Sequence, residues 1–582
     1  MTLRLPFQWL LLALIVLGVF YPAIFGGFSL ADDTTLVNRL VNLEHFDFSR
    51  LFFRSGGYYY RPIVSATFYL DQIFWGASAI IMHVENLLLH LLNATLVFAM
   101  ARRFCTGNAR LPNWLPLLMA IAFALHPITT EAVCWVSGRF DLLATTFVLL
   151  STWLLLRGLE RPGLWRLLPA LLAALLGCLS KETALFFFGG AVFLIFIHHR
   201  QWLATPLAAL RATLPALFLW SGGAVVYLVF RQMALAGRDT GIKAVAKAAS
   251  GQAGLFDWLD QVRIAIKVGG FYLKKIFVPY PLNFAITEIS GLYQYLGLVF
   301  VALCLWLLWR VWQGSMAAAM FWAAVFTGSA AFMVVFGKMA WTLLAERYLY
   351  MPAAFFVLGW CAWGADRRND RLLRLFLLGA VLFVLVGAAL TIERSRLWSD
   401  PVALTEDTVA KSPKFVQARK DLANYYFALG RSDEGKALLE GLVEKTSKGG
   451  YIEDDISLAW QLEKEEKYTE AQRVLRKALE NPGKQFVKLA NALIALNHKR
   501  LAAEADVAIK NEIRGENVRL FEQLRKGNND PFLAYRLARE YCALGEVGKA
   551  RALFSEAYRR APASAHYREA AGKLAETLAE EE

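Results

Sequence analysis

Two adjacent carboxylates, Asp32 and Asp33, stand where the first long apolar run of the chain ends. A carboxylate beside a like charge and close to lipid has its pKa pushed up, which suits it to act as general base on an acceptor hydroxyl. The competing reading is structural: aspartate is a favoured N-cap, here for a helix starting near Thr34. The segment that follows, about fifty residues between the first two apolar runs, is longer than a mere connection requires.

Further polar clusters interrupt the apolar runs. Tyr60 and Arg61 follow two more tyrosines and precede Pro62. His83, Asn86 and His90 lie along one side of the second run, where a substrate contact competes with a hydrogen-bonded helix-packing role. His126 and Glu131 lie close in sequence to Arg139 and Asp141. Ionisable groups at membrane depth are costly and default to functional readings. Lys181-Glu182 and Glu346-Arg347 each end an apolar run; Arg61 and Arg347 offer the paired donors that suit a phosphate. The bland reading of each adjacent pair is a local salt bridge anchoring a helix end. A zinc site is disfavoured because no cysteine or carboxylate completes a ligand set around the histidines.

The elements that must position these groups follow from composition. The chain has 582 residues, 57% hydrophobic and only 19% charged, with a mean hydropathy of +0.40. That excludes a single soluble globular domain. The apolar excess is confined to the region before about Leu390, where eleven stretches approach the length needed to span a bilayer. They lie near 7–28, 80–101, 114–134, 140–157, 163–179, 183–199, 212–230, 292–309, 317–336, 349–364 and 374–392. The first is read as a helix, not a cleaved signal peptide.

Arginines at 102, 103, 110, 157, 161, 166, 200, 211, 367, 368, 371 and 374 fall on one side by parity, which predicts a cytoplasmic N-terminus. The opposite side then holds 29–79, 126–139, 179–183, 231–291, 337–348 and everything after about 393. Arg263, Lys267 and Lys274 share a helical stripe, so 257–278 reads as an interfacial helix. External loops carry about as many Lys and Arg as cytoplasmic ones, against the usual bias, and an anionic lipid-linked ligand would account for them. On that view the net charge of +14 is not a nucleic-acid signature. The six cysteines show no CxxC and read as small core residues.

After Pro401 the pattern becomes paired amphipathic helices. Asp421 to Ala437 and Tyr535 to Ala550 share small and aromatic residues at tetratricopeptide-repeat offsets, another unit runs through Tyr468 to Ala471, and Pro413, Pro482 and Pro562 punctuate the repeat ends. About four repeats fit, giving a solenoid whose concave face would hold an extended peptide.

Taken in order, these motifs resemble the transmembrane and tetratricopeptide-repeat (TMTC) proteins. The likeness rests on Asp32-Asp33, Tyr60-Arg61-Pro62, the His83-Asn86-His90 helix, His126-Pro-Ile-x-Thr-Glu131, Ser137-Gly-Arg139-x-Asp141, Lys181-Glu182 and Ala345-Glu346-Arg347-Tyr-Leu-Tyr350, followed by the repeats. The resemblance implies an all-α polytopic membrane fold of the GT-C glycosyltransferase type, related to protein O-mannosyltransferases, with a domain over 1–392 and a repeat domain over 393–582. It implies a polyprenyl-phosphate sugar as donor and a Ser or Thr hydroxyl, on a protein held in the repeat groove, as acceptor. Asp32 or Asp33 would be the base, with Asp33 preferred; Arg61, Arg139, Lys181 and Arg347 would face the donor phosphate. Tyr60, His83, Asn86, His90, His126, Glu131, Asp141, Glu182 and Glu346 would line the pocket. No cofactor is required, and a divalent cation on the Asp pair is the alternative.

The repeat array is shorter than in animal members and 231–260 is Ala- and Gly-rich, so the acceptor does not carry over. A bacterial cytoplasmic membrane, with the repeats periplasmic, is expected in preference to the endoplasmic reticulum. A bacterial donor lipid would be undecaprenyl phosphate, and its sugar need not be mannose. Two other functions compete: a non-catalytic membrane scaffold whose repeats recruit an envelope assembly, and a transferase acting on a glycan or lipid. A transporter is disfavoured, since the spans show no internal duplication.

Overall fold

The computed structural model describes residues 4–29, 33, 36, 59–235, 255–332, 344–366, 369–446, 452–480, 482, 486–526, 530–561 and 567–580. Asp32, Tyr58, Arg367 and Arg368 lie outside them. The described residues are helical throughout, apart from short 3-10 turns, connecting loops and one isolated antiparallel bridge between Ile286 and Leu344. Two compact units divide the chain, Met1–Asp421 and Leu422–Glu582.

In the first unit we number the helices α1 Leu5–Phe20, α2 Pro62–Trp75, α3 Ala79–Cys105, α4 Leu115–Ala124, α5 Thr129–Cys134, α6 Arg139–Leu159 and α7 Leu168–Ser180. There follow α8 Phe187–Trp202, α9 Pro206–Ala234, α10 Leu255–Phe277, α11 Tyr293–Trp312, α12 Met316–Gly328, α13 Tyr350–Ala365, α14 Asp370–Trp398 and α15 Pro401–Lys411; α16 Val416–Ala428 crosses into the second unit. The ends follow from local chemistry. Pro62 opens α2 and Gly76, at φ +62°, closes it. The Asn369 side chain accepts from the backbone N–H groups of Arg371 (2.9 Å) and Leu372 (3.3 Å), capping α14. Arg102 and Arg103 sit in the last turn of α3, where cations complement the helix dipole.

Eight helices of the described chain are long and apolar enough to cross a bilayer, and three shorter apolar helices cover Leu115–Ala124, Leu164–Ser180 and Met316–Phe332. Each of the eleven apolar runs of the sequence thus has helix in its described residues. The run at 114–134 is broken because Leu125 ends its first helix, and the helix from Met316 is described as far as Phe332. The helix through Tyr350–Ala365 is 83% buried over its apolar window, whereas α14 is 11% buried, so α13 is central and α14 turns its leucines outward. An outward leucine surface of that size marks a protein solvated by lipid.

α10 carries too many charges to count among the candidate spans, yet it packs tightly on α11. A Cβ on Gly270 would sit 2.1 Å from the Tyr293 carbonyl oxygen, and one on Gly297 would sit 2.0 Å from that of Ile266. Only glycine at both positions lets the two backbones touch. The first unit extends through α15 because Asn283 Nδ2 donates to Ser412 Oγ (2.9 Å) and Lys411 Nζ to the Leu282 carbonyl (2.8 Å).

The second unit comprises α17 Ser432–Thr446, α18 Ile452–Lys464, α19 Tyr468–Leu479, α20 Phe486–Ala503, α21 Val507–Arg525, α22 Pro531–Ala543, α23 Val547–Arg560 and α24 Arg568–Glu580. From α17 to α24 each helix packs on its sequence neighbour. The two stretches aligned by sequence have the same turn: Gly430 (φ +78°) and Gly545 (φ +80°) follow their helices. The next residue's N–H reaches back to Tyr426 O (2.8 Å) in one turn and to Tyr541 O (3.0 Å) in the other. A line of buried amides crosses four helices: Gln472 donates to Asn497 (2.6 Å), Asn497 to Asn517 (2.8 Å), and Asn517 to Glu540 (3.4 Å).

Candidate functional site

Asp33 is buried, and its carboxylate accepts from Ser29 N (3.0 Å), Ser137 N (3.0 Å) and Ser137 Oγ (2.5 Å). Three donors on one carboxylate stabilise its charged form and fix its position. They also tie the end of the first apolar run to the turn before α6.

Charged residues near the helix ends come together from across the sequence. Arg61, just ahead of α2, forms a two-pronged pair with Glu182, Nε at 2.9 Å and Nη2 at 2.5 Å. Lys181 Nζ lies 2.6 Å from Asp141 of α6. Arg347 pairs with Glu131 of α5 through its guanidinium, and its backbone N–H donates to the same carboxylate at 2.9 Å. Lys275 of α10 meets Glu346 at 2.5 Å. These are not separate bridges. Lys181 feels the charges of Arg61 and Arg347, and Asp141 acts on both arginines. Aromatic faces line the cations: Tyr59 and Phe140 under Arg61, Trp135 and Tyr348 under Arg347.

Lys181-Glu182 and Glu346-Arg347 therefore do not pair locally. Neighbours in a tight turn point apart, as adjacent helix residues do. Each acid instead finds a cation on another element, as far as 216 residues away for Glu131 and Arg347. The four pairs balance four positive with four negative charges, so an incoming phosphate has to draw a guanidinium or ammonium from its carboxylate.

Arg139 lies beside this group in a pocket of its own. Its side chain is 1% exposed and meets Asp71 at 2.5 Å and Glu85 at 2.8 Å, while Nε donates to Asn86 (3.2 Å) and Nη2 to the Met82 carbonyl (3.2 Å). All its donors point into α2 and α3. Asn86 also donates to the carbonyls of Trp135 (2.8 Å) and Val136 (3.2 Å). Deeper in the bundle, the His90 ring bridges Tyr350 Oη (2.7 Å) and the Ala124 carbonyl (3.1 Å). His126 Nε2 meets the Ile276 carbonyl (2.9 Å), and its Nδ1 receives Ile128 N–H (3.3 Å). His83 is buried against the Gly26 backbone, and Tyr60 is buried in the main core. The structure thus gathers Arg61, Glu131, Asp141, Lys181, Glu182, Glu346 and Arg347 into one charged network. It places Arg139 with Asn86 beside that network, and His90 and His126 in helix packing.

Sequence reasoning missed Asp71, Glu85 and Lys275. Their signal was available: Asp71 and Glu85 are acids inside otherwise apolar segments, and such acids need a buried cation. Lys275 was hidden beside Lys274 on a helix whose stripe pointed elsewhere.

An apolar cavity of about 360 Å³ opens between α10, α11, α12 and α13. Tyr272 and Leu349 line one end and Trp360 and Trp363 the other. The Tyr272 hydroxyl donates to the Ala345 carbonyl (3.3 Å), so the first end lies next to Glu346 and Arg347.

Fold and site define a helical membrane protein with a buried network of charges at the ends of its spans. No family model matches the chain. Part of the chain is related to curated TMTC-type proteins. A Caenorhabditis elegans "Protein O-mannosyl-transferase F38B6.6" is 33% identical over 142 residues, 24% of this chain and 20% of that protein. Human "Protein O-mannosyl-transferase TMTC1" is 34% identical over 140 residues, 22% of this chain and 15% of that protein. Human TMTC4 is 34% identical over 145 residues, 22% of this chain and 20% of that protein. The chain thus matches about a fifth or less of the length of these relatives.

Proposed function

We propose that the chain is an inverting membrane glycosyltransferase of the GT-C type, with eleven spans, that moves a hexose from a polyprenyl-phosphate donor to a Ser or Thr hydroxyl of a protein. The observation that carries this reading is the single network of Arg61, Lys181, Arg347 and Lys275 with Glu182, Asp141, Glu131 and Glu346. The partial match to O-mannosyl-transferases supports it. So does the apolar cavity beside Arg347, which offers an isoprenoid tail a path from the lipid to the charges.

In the proposed reaction the acceptor oxygen attacks the anomeric carbon as the bond from that carbon to the donor phosphate oxygen breaks. The bonding pair leaves with the lipid phosphate, and the hydroxyl proton passes to Asp32. Asp33 holds the turn in place, since its oxygens already accept from Ser29 and Ser137. Arg61, Lys181 and Arg347 stabilise the charge developing on the phosphate, a contribution worth about 3 kcal/mol per well-placed group in a dry site. With those cations present no metal is needed. Arg139 acts from its own pocket by holding α2 and α3.

The repeats at 393–582 form a tetratricopeptide solenoid on the periplasmic or lumenal side and present the acceptor, and α10 lies at the membrane interface. A second reading, a non-catalytic scaffold, is favoured by one observation: every cation of the network is already paired. The deciding experiment incubates the purified chain in nanodiscs with labelled polyprenyl-phosphate hexoses and envelope extract, followed by mass spectrometry. The transferase reading expects labelled Ser or Thr peptides that vanish in Asp32→Asn/Asp33→Asn. Label that persists in that variant, or no transfer from any donor while the repeats still recruit partners, would overturn it.

A further inference from the structure

The second unit holds three arginines that its own carboxylates do not neutralise. Arg536 and Arg539 stand one turn apart on α22, and Arg514 faces them from α21. Among the described residues, no ion pair or hydrogen bond engages any of the three guanidiniums. Between them lies one acid, Glu540, 4% exposed. Its carboxylate takes a hydrogen bond from Asn517 (3.4 Å) and meets His498 Nε2 at 3.4 Å. The charges of Arg514, Arg536 and Arg539 all act on Glu540 and on His498.

Three positive charges around one negative leave a surplus of two. The neighbouring acids do not supply the balance: Glu516 is spent on Arg476 and Asn497, Glu522 accepts from Tyr541, and Glu556 is paired with Arg525 and Arg560. Arg536, the central one, is not free to swing away. Arg536 lies over the Phe521 ring at 4.8 Å and within 6.0 Å of the Phe532 ring. A surplus of like charge, held in place at a partly buried junction, is relieved by an anion that arrives with its own acceptors.

We propose that this three-arginine junction is a docking site for an acidic, extended stretch of a protein partner. Arg536 and Arg539 are spaced by about 5–6 Å, as residues one helical turn apart are. Side chains on one face of an extended peptide recur at about 6.6 Å, so alternate carboxylates of a strand meet them in turn. Arg514, on the adjacent helix about 9 Å away, closes the other side. Glu540 sets the affinity: its charge holds the arginines together in the empty site and competes with the incoming carboxylate.

That the acidic stretch belongs to the glycosylation acceptor rests on the transferase reading; the docking itself does not. Binding is therefore measured without any sugar donor. The full chain, in nanodiscs of zwitterionic lipid, is titrated into a fluorescent Ser/Thr peptide with Glu at alternate positions, and into the same peptide with Gln instead. The Glu peptide should bind about tenfold tighter at low salt, with the advantage lost at high salt. Arg514→Met/Arg536→Met/Arg539→Met should erase the difference. Arg539→Met alone, at an exposed position, should reduce it severalfold without changing the melting temperature. Glu540→Gln should move affinity the other way, severalfold tighter. Equal binding of the two peptides overturns the proposal, as does a preference that survives in the triple variant. Displacement by inorganic phosphate as readily as by free Glu peptide would reassign the site to a small anion and overturn it equally. A peptide that binds as expected yet is never glycosylated when the donor is added would count against the transferase reading and leave the docking site intact.

Discussion

Glu182→Gln should weaken the protein and tighten its grip on a lipid phosphate at once. Glu182 and Arg61 form a two-pronged pair with side chains 8% and 14% exposed. At 2.5 Å, Coulomb's law with an effective dielectric constant of about 20 gives roughly 7 kcal/mol of attraction, part of which is offset by desolvation. Glutamine keeps the shape and deletes the charge, leaving the Arg61 guanidinium with the Tyr59 and Phe140 faces and the carboxylate of Asp141 at longer range. The expected cost is about 3 kcal/mol, a drop in melting temperature on the order of 5 °C for a unit of this size. Arg61→Met should cost a similar amount, while Glu182→Gln/Arg61→Met should recover most of both losses. The cycle is read by thermal unfolding in nanodiscs, and the coupling should exceed about 2 kcal/mol. In parallel, polyprenyl-phosphate binding should strengthen severalfold in Glu182→Gln, because Arg61 no longer has to leave a carboxylate. Additive losses in the cycle would refute the buried pair. A coupled cycle with weaker donor binding would refute the proposed role of Arg61 in phosphate recognition.

Gly270→Ala should break the contact of α10 with α11, since the added methyl would lie 2.1 Å from a backbone oxygen; faster proteolysis at 278–292 and aggregation on size exclusion would show it. Ser137→Ala removes the 2.5 Å hydrogen bond to Asp33 and should lower sugar transfer about tenfold with little change in melting temperature, a difference that separates positioning from folding. Asp421, raised to about 6 mainly by burial, holds its proton more tightly in the folded than in the unfolded chain. Stability should therefore rise as pH falls from 7 towards 5, by on the order of 1–2 kcal/mol, and Asp421→Asn should flatten that slope in pH-dependent melting.

Periodicity and composition were enough to place the apolar helices, eight of them of spanning length among the described residues, because each lies in a continuous run whose length alone is informative. They gave lengths less well: the run at 114–134 reads as one span, yet its first helix ends at Ala124, a stop marked in the sequence by Pro127 two residues past Leu125. Most charged residues of the site were also visible, since a Lys, Arg or Glu inside leucine-rich sequence stands out, but Lys275 was not. Their partners were not. Glu182 sits beside Lys181 in sequence and pairs with Arg61, and nothing short of the three-dimensional packing of α2 against α7 reveals that. Hydrogen bonds to backbone carbonyls, such as those of His90 and His126, are silent in sequence for the same reason: any residue supplies a carbonyl.

The long-range pairing of charges has a bearing on how the chain is made. Glu131 enters the membrane during synthesis with its partner Arg347 still 216 residues from being translated. At about 5–20 residues per second that interval is roughly 10–40 s. Asp141 waits 40 residues for Lys181, and Arg61 waits 121 for Glu182. During those intervals the early helices hold uncompensated charge at the edge of the lipid, and a nascent chain that stalls before Arg347 cannot complete the bundle. Glu131 is thus the one acid of the network whose charge stays uncompensated until most of the membrane unit has been made.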